Sequence, residues 1–169
     1  MNKMPAVVAV SGVKNSGKTT FIEKMIPILN EMGIKTAVIK HDGHCFEADP
    51  IETDTGKYMN AGACGTAVFD GEKYKIIRKE RTNERKLMDA FPDVDLILLE
   101  GFKYSSWPKI ELVRAGNSAS AVSDKRTMLA LATDLPLKIS GVPTIHLNDV
   151  RAAVDIIICY MEKGENKHV

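Results

Sequence analysis

The sequence predicts an α/β protein in which a mainly parallel sheet is covered by helices. Apolar runs typical of strands alternate with helix-competent stretches along the 169 residues, which favours a parallel sheet with helical crossovers. Residues 95–99 form a nearly continuous apolar run, as in a strand buried on both faces. Asp70-Gly71 lies between two further strand-like runs and predicts a β-hairpin inserted into this fold.

Length and composition predict one ordinary globular domain over residues 1–169. Hydrophobic residues make up 44%, charged residues 27%, and the net charge is +1, so charge gives no reason to expect a nucleic acid or membrane partner. No apolar run approaches the roughly 20 residues that span a bilayer, and no signal peptide is expected. The three cysteines, Cys45, Cys64 and Cys159, lack C-x-x-C spacing, which predicts reduced thiols in a cytoplasmic protein.

The first elements are a strand, a helix and a second strand. Residues 6–11 form the first strand, and a helix begins at Thr19. Pro27 should bend that helix because proline removes a main-chain hydrogen bond, and Gly33 is suited to its C-terminal cap. The second strand covers residues 36–40.

The middle of the chain is polar and less regular. Residues 41–53 are too long for an ordinary connection and therefore predict a functional loop. Asp54 is expected to cap a helix over residues 55–61. The hairpin strands are predicted at 66–70 and 74–78, and a further helix at 83–91.

The second half continues the alternation. Further strands are predicted at 95–99, 109–114, 127–132 and 144–147. Asn148 is expected to cap a final helix over residues 149–162, and residues 163–169 to be loose.

A phosphate-binding loop (P-loop), G-x-x-x-x-G-K-[ST], follows the first strand. Gly12, Gly17, Lys18 and Thr19 occupy its fixed positions. A helix N-terminus turns backbone N–H groups toward phosphates, Lys18 can reach the β- and γ-phosphates, and the Thr19 hydroxyl can ligate Mg²⁺. The motif predicts a P-loop NTPase fold, and the expected nucleotide-binding residues are Gly12, Val13, Lys14, Asn15, Ser16, Gly17, Lys18, Thr19 and Thr20.

Two acids are candidates for the metal site, because ligands bind at the carboxyl edge of an open α/β sheet. Asp42 follows the second strand and Glu100 follows the 95–99 strand. With Thr19 they form the expected Mg²⁺ site, and with Lys18 they are the candidate catalytic residues. Gly101 would let the backbone approach a γ-phosphate.

Other charged residues extend the predicted site. Asp134 follows an apolar strand and could accept hydrogen bonds from guanine N1 and N2, which favours GTP over ATP. Lys103, Lys109 and Arg114 either meet a second phosphate group or form an ordinary solvated pattern.

The segment from His41 to Cys45 carries imidazole and thiol groups. Its spacing matches no closed metal site, so a substrate-facing role is favoured over transition-metal binding. Because the surrounding loop is long and polar, residues 41–63 with Lys103 are expected to form a second recognition surface beside the triphosphate.

Four segments together resemble one family, the molybdopterin-guanine dinucleotide biosynthesis protein B family. They are the P-loop, Lys40-His41-Asp42-Gly43-His44, Asp54-Thr55 with Ala61-Gly62-Ala63, and Leu99-Glu100-Gly101-Phe102-Lys103 with Pro108-Lys109-Ile110-Glu111. The resemblance implies GTP binding with Mg²⁺, weak hydrolysis and a homodimer. It also implies an accessory role beside the guanylyltransferase that attaches GMP to molybdopterin, with His41, His44, Asp54 and Lys103 lining the adjoining site.

Two alternatives stay open from the sequence. A P-loop small-molecule kinase would need an arginine-rich lid, for which Arg78, Arg81 and Arg85 are candidates. A second alternative function, a metal-chaperone GTPase, is supported by the imidazole and thiol groups of residues 41–45. Val13 stands where some dimeric P-loop NTPases carry a lysine, so a lysine acting across a dimer is not assumed.

Overall fold

The computed structural model describes residues 4–43, 46 and 49–165. The chain divides into two compact units: unit 1 comprises Met1–His41 and Glu84–Val169, and unit 2 comprises Asp42–Asn83. Each unit contains its own sheet. The single domain predicted for residues 1–169 stays a prediction.

The described residues form eight strands and four helices. The strands are β1 (Ala6–Ser11), β2 (Thr36–Lys40), β3 (Gly65–Phe69), β4 (Tyr74–Arg78), β5 (Leu96–Glu100), β6 (Lys109–Val113), β7 (Met128–Thr133) and β8 (Thr144–His146). The helices are α1 (Lys18–Glu31), α2 (Asp54–Asn60), α3 (Glu84–Met88) and α4 (Val150–Glu165). Every predicted strand is present within one residue of its expected bounds.

The sheet of unit 1 has the order β2-β5-β1-β6-β7-β8. Each neighbouring pair is parallel, which confirms the predicted fold class. Because β1 is central, the loop after it lies in the middle of the carboxyl edge. The loops after β5 and β6 flank it, so three connections can contribute to one site.

The apolar strands are continuous because helices or loops cover both faces of this sheet. On one face, β1 and β5 side chains pack with Met25 and Leu29 of α1 and with Ile157 of α4. On the other face, alternate residues of the same strands pack with Met88 and Trp107. All five residues of β5 are buried, as expected for a strand without a solvent face.

Helix α1 begins directly after the glycine-rich loop and ends as predicted. Gly17 precedes the helix with φ 93°, and Pro27 lies inside it. At the C-terminus Gly33 adopts φ 75°, and Ile34 N donates to Leu29 O at 3.0 Å. This left-handed glycine ends the helix without the steric cost of a side chain.

Unit 2 contains α2 and the β3–β4 hairpin. The strands pair antiparallel from Gly65↔Arg78 to Phe69↔Tyr74, which confirms the predicted hairpin. Asp70 stabilises its turn, because its Oδ1 accepts hydrogen bonds from the main-chain N–H groups of Glu72 and Lys73 at 2.8 and 2.9 Å.

Two predicted helix caps are wrong by one residue. Thr53, not Asp54, caps α2: it is extended, and its Oγ1 accepts a hydrogen bond from Gly56 N at 3.1 Å. Asp149, not Asn148, accepts from Ala152 N at 3.1 Å at the start of α4. In both pairs adjacent residues are chemically able to cap, so backbone geometry decides between them.

The helix lengths also differ from prediction. Helix α3 is shorter than residues 83–91 and continues only as turns, in which Phe91 N donates to Met88 O at 2.9 Å. Helix α4 runs to Glu165 rather than ending at 162, so residues 163–165 are helical rather than loose. Among the described residues, no helix is both long and apolar enough to cross a bilayer.

Candidate functional site

The loop between β1 and α1 has a backbone shape that requires its glycines. Gly12 adopts φ 140°, and a Cβ there would lie 2.6 Å from both Leu112 O and Ser16 Oγ. The first hydrogen bond within α1 runs from Phe21 N to Gly17 O at 2.9 Å. The N–H groups before Phe21 therefore lie at the helix N-terminus, where an anion is favoured by geometry and by the helix dipole.

Lys18 folds back over this loop. Its Nζ donates to Val13 O at 2.7 Å and to Gly12 O at 3.2 Å. Partial burial lowers the pKa of Lys18, the Glu100 carboxylate opposes that shift, and the Lys103 and Lys40 charges add to it. The ammonium is thus held by neutral carbonyl oxygens, which a phosphate can replace with anionic acceptors.

Thr19 and Glu100 form the second part of the site. Val10 pairs with Glu100 in the parallel register, which brings the end of β5 beside the loop. Thr19 Oγ1 donates to Glu100 Oε1 at 2.9 Å, and Lys40 Nζ lies 3.7 Å from the same oxygen. Glu100 is only 8% exposed, so these partners offset the cost of burying its carboxylate.

The chemistry of these groups fits a magnesium–triphosphate complex. A hydroxyl and a carboxylate are the hard oxygen ligands that Mg²⁺ prefers, and Thr19 and Glu100 supply them within hydrogen-bond distance of each other. The adjoining ammonium of Lys18 would add a cation for a bound triphosphate. The structure therefore brings together three of the residues predicted for catalysis and metal binding.

Asp42, Asp54 and His44 are placed differently. Asp42 belongs to unit 2, so its part in the metal site stays a prediction. Asp54 also belongs to unit 2, where it pairs with Lys57 at 3.6 Å. His44 and Cys45 lie outside the described residues, and the predicted second surface stays a prediction.

His41 and Lys103 lie in unit 1 beside the end of β5. The His41 ring is 5.5 Å from the Phe102 ring, and its main-chain N donates to Glu100 O at 3.2 Å. Lys103 Nζ lies 5.0 Å from the Tyr104 ring centroid. Gly101 N donates to Val10 O at 3.0 Å, so this N–H extends the sheet, and the approach of the Gly101 backbone to a γ-phosphate stays a prediction.

The loop after β6 supports the phosphate-binding loop from the opposite side. Arg114 Nε donates to Ser16 O at 3.3 Å, and Asn117 Nδ2 donates to Lys14 O at 3.0 Å. No sequence motif indicates this role for Asn117. Arg114 therefore supports the loop by donating to the Ser16 carbonyl. Its predicted contact with a second phosphate stays a prediction.

Glu111 is another residue whose role the sequence analysis missed. Its carboxylate accepts from Val122 N at 2.6 Å and Ser123 N at 2.8 Å. Ser123 Oγ is 3.1 Å from Ser11 Oγ, so Glu111 holds a second segment against the end of β1. The sequence feature that could have indicated this role is the position of Glu111 between apolar residues of a strand, because a buried carboxylate needs hydrogen-bond partners.

Asp134 follows β7 at the same carboxyl edge. Its Oδ1 accepts from Ala115 N at 2.7 Å, which links the predicted base-binding acid to the loop carrying Arg114. Carboxylate oxygens have lone pairs beyond this one bond, so the guanine interaction stays a prediction. Lys109, in contrast, is fully buried and its Nζ bonds to main-chain carbonyls, so both alternatives predicted for it, a second phosphate contact and a solvated charge, are wrong.

The fold and the glycine-rich loop define an α/β protein of the P-loop NTPase fold. The family model for molybdopterin guanine dinucleotide synthesis protein B (MobB) matches residues 7–134, and the chain belongs to that family. A molybdopterin-guanine dinucleotide biosynthesis adapter protein from Escherichia coli K12 is 32% identical over 170 residues, covering 95% of each chain.

Solved structures agree with this assignment. The crystal structure of Bacillus subtilis MobB has a TM-score of 0.72 and 29% identity, covering 91% of this chain and 96% of that one.

A shorter sequence similarity, 34% identity over 102 residues, relates the chain to urease accessory protein UreG 2 of Bradyrhizobium. That match covers 56% of this chain and 46% of the relative.

Proposed function

We propose that this chain is a GTP-binding adapter of molybdopterin guanine dinucleotide biosynthesis and that it hydrolyses GTP slowly with Mg²⁺. The observation that carries the proposal is the hydrogen bond of 2.9 Å between Thr19 Oγ1 and Glu100 Oε1, with Lys18 on the same loop. These groups match the metal and phosphate contacts that nucleoside triphosphates require.

The choice of guanine rests on Asp134. This acid stands at the carboxyl end of β7, separated from the central β1 by one strand. A carboxylate can accept the N1 and N2 hydrogens of guanine together, whereas adenine lacks both donors. The relative named as a molybdopterin-guanine dinucleotide biosynthesis adapter protein makes a guanine nucleotide the natural ligand to test.

The hydrogen-bonded position of the Glu100 carboxylate is consistent with slow GTP hydrolysis. Its Oε1 is engaged by Thr19 and lies 3.7 Å from Lys40 Nζ, which favours metal binding over activation of a water molecule. We propose that Thr19 and Glu100 would hold Mg²⁺, which would supply positive charge to the phosphates, and that Lys18 orients the triphosphate. The chain would then act mainly by holding GTP for a molybdopterin guanylyltransferase, and we propose that it does so as a homodimer.

The binding experiment compares GTP affinity with and without Mg²⁺ for wild type, Thr19→Val and Glu100→Gln. Loss of a metal ligand costs about 10–100-fold in metal affinity or activity, so both variants should lose most of the Mg²⁺-dependent gain. Glu23→Gln, an exposed acid on α1, is the matched control. Equal Mg²⁺ dependence in all four proteins would contradict the metal assignment.

The pathway experiment measures guanine dinucleotide cofactor formation by a guanylyltransferase with limiting GTP. Wild type should raise the rate, and Glu100→Gln should not, while Glu23→Gln should match wild type. Sedimentation of the same samples measures the oligomeric state. A wild-type protein that binds GTP but leaves the rate unchanged would refute the adapter role alone.

A further inference from the structure

Lys109, the first residue of β6, is a fully buried lysine whose partners are three main-chain carbonyls and the Ser105 hydroxyl. Its Nζ donates to Ser105 O at 2.7 Å, Phe102 O at 3.1 Å and Lys103 O at 3.4 Å. Lysine is almost never fully buried without partners that offset its desolvation. Burial lowers the pKa of Lys109, and the charges of Glu111 and Asp124 oppose that shift. The carbonyl oxygens accept the hydrogen bonds that the buried Nζ would otherwise lose.

Those carbonyls belong to the loop of residues 101–105, which directly follows Glu100. Gly101 has φ 104° and Phe102 has φ 52°, a left-handed conformation that costs free energy for a residue with a side chain. The Phe102 carbonyl accepts Ser105 N at 3.0 Å, Ser105 Oγ at 2.8 Å and Lys109 Nζ. Three donors therefore converge on the strained residue and hold it in place.

The 101–105 loop connects this lysine to the candidate nucleotide site. Gly101 N is bonded to Val10 O at the end of β1, immediately before Gly12 and the rest of the phosphate-binding loop. Burial is the main cause of the lowered pKa of Lys18, and the Lys103 charge acts in the same direction. The loop thus carries a second cation toward the lysine that should bind phosphates.

We propose that Lys109 is a positioning residue that fixes the 101–105 loop before nucleotide binds and thereby presents Lys103 to the phosphates. This inference rests on the proposed GTP binding. A loop that is already ordered avoids part of the entropy cost of binding. Without the buried ammonium, the carbonyls of Phe102, Lys103 and Ser105 lose a shared donor, and the loop orders only when phosphate attracts Lys103.

Limited trypsin digestion tests the ordering directly, because trypsin cleaves after Lys103 if the loop opens. The proteins are wild type, Lys109→Met and the control Lys24→Met, an exposed lysine of α1. Mass spectrometry follows the Lys103–Tyr104 bond with and without GTP. Wild type and control should be cut slowly in both conditions, and Lys109→Met should be cut about tenfold faster without GTP and be protected by it.

Calorimetry then measures whether Lys109 acts through Lys103. Lys109→Met should bind GTP about tenfold more weakly, less than the hundredfold that a full misplacement can cost. The double variant with Lys103→Ala should bind no more weakly than Lys103→Ala alone, since coupled residues are not additive. Fully additive losses would overturn the proposal.

The outcomes separate this inference from the proposed function. If wild type does not bind GTP, the proposed function fails, but digestion without nucleotide still tests whether Lys109 orders the loop. If GTP binds and Lys109→Met matches wild type in cleavage and affinity, the inference fails. Should Lys109→Met not fold by circular dichroism, Lys109→Gln, which keeps a neutral donor but removes the ammonium, decides: faster cleavage after Lys103 supports the inference, and unchanged cleavage overturns it.

Discussion

Replacing Lys18 with alanine is the most direct perturbation of the candidate nucleotide site. In the free protein its ammonium bonds to Val13 O and Gly12 O, and a triphosphate would replace these neutral acceptors with anionic ones. Hydrogen bonds of an ionised group contribute about 1.5–3 kcal/mol each, and we place bonds to a neutral carbonyl near the lower end of that range and bonds to an anionic phosphate near the upper end. Two such exchanges give a net loss of about 2–3 kcal/mol in Lys18→Ala.

That loss corresponds to GTP binding about 30- to 150-fold more weakly, because 1.4 kcal/mol is tenfold. Titration calorimetry at saturating Mg²⁺ measures it, with Lys24→Ala on the exposed face of α1 as control. The melting temperature should hardly change, because removing Lys18 also removes a partly buried charge near Lys40 and Lys103. An affinity within twofold of wild type, in a folded variant, would refute the assignment of Lys18 to the phosphates.

Three further changes test other parts of the molecule. Asp134→Asn should weaken GTP and improve xanthosine triphosphate, whose C2 carbonyl accepts rather than donates; a competition assay with an unchanged affinity ratio would remove Asp134 from the site. Affinity for inorganic triphosphate, which avoids the alkaline ionisation of guanine, should fall as pH rises through the free-protein pKa of Lys18. The fall should begin below the ordinary lysine value of 10.5, because burial lowers that pKa and only the protonated amine binds; Lys18→Ala should lack this decline. Met25→Ala, at a fully buried position, should cost about 2–5 kcal/mol in urea unfolding, whereas Met32→Ala at a 39% exposed position should cost less than about 0.5 kcal/mol.

Local patterns were sufficient to predict the sheet and the phosphate-binding loop. Strand β5 is recognisable as a continuous apolar run because it is buried on both faces. Glu100 could be predicted as a site residue because it is the polar residue at the carboxyl end of that run. Gly12 and Gly17 of the loop are needed locally because their φ angles are positive, 140° and 93°. None of these features depends on a distant partner for its recognition.

The missed features depend on contacts that form only after folding. Lys109 resembles a solvated charge in sequence, yet its carbonyl partners meet it through the pairing of β1 with both β5 and β6. Asn117 and Lys14 are 103 positions apart and meet through the same sheet. Local propensity could not choose between Thr53 and Asp54 as a cap, because the choice depends on the chain direction entering α2.

The central place of β1 also has a consequence for synthesis on the ribosome. Its neighbours are β5 and β6, and Ala6 pairs with Leu96, 90 positions later (96 − 6). At roughly 5–20 residues per second, that interval takes roughly 5–18 seconds. Strand β2 is synthesised earlier than β5, but it does not pair with β1, since β5 lies between them in the sheet. The apolar side chains of the nascent β1–α1 segment therefore stay exposed until β5 and β6 have been synthesised. We expect a chaperone to bind this segment during translation.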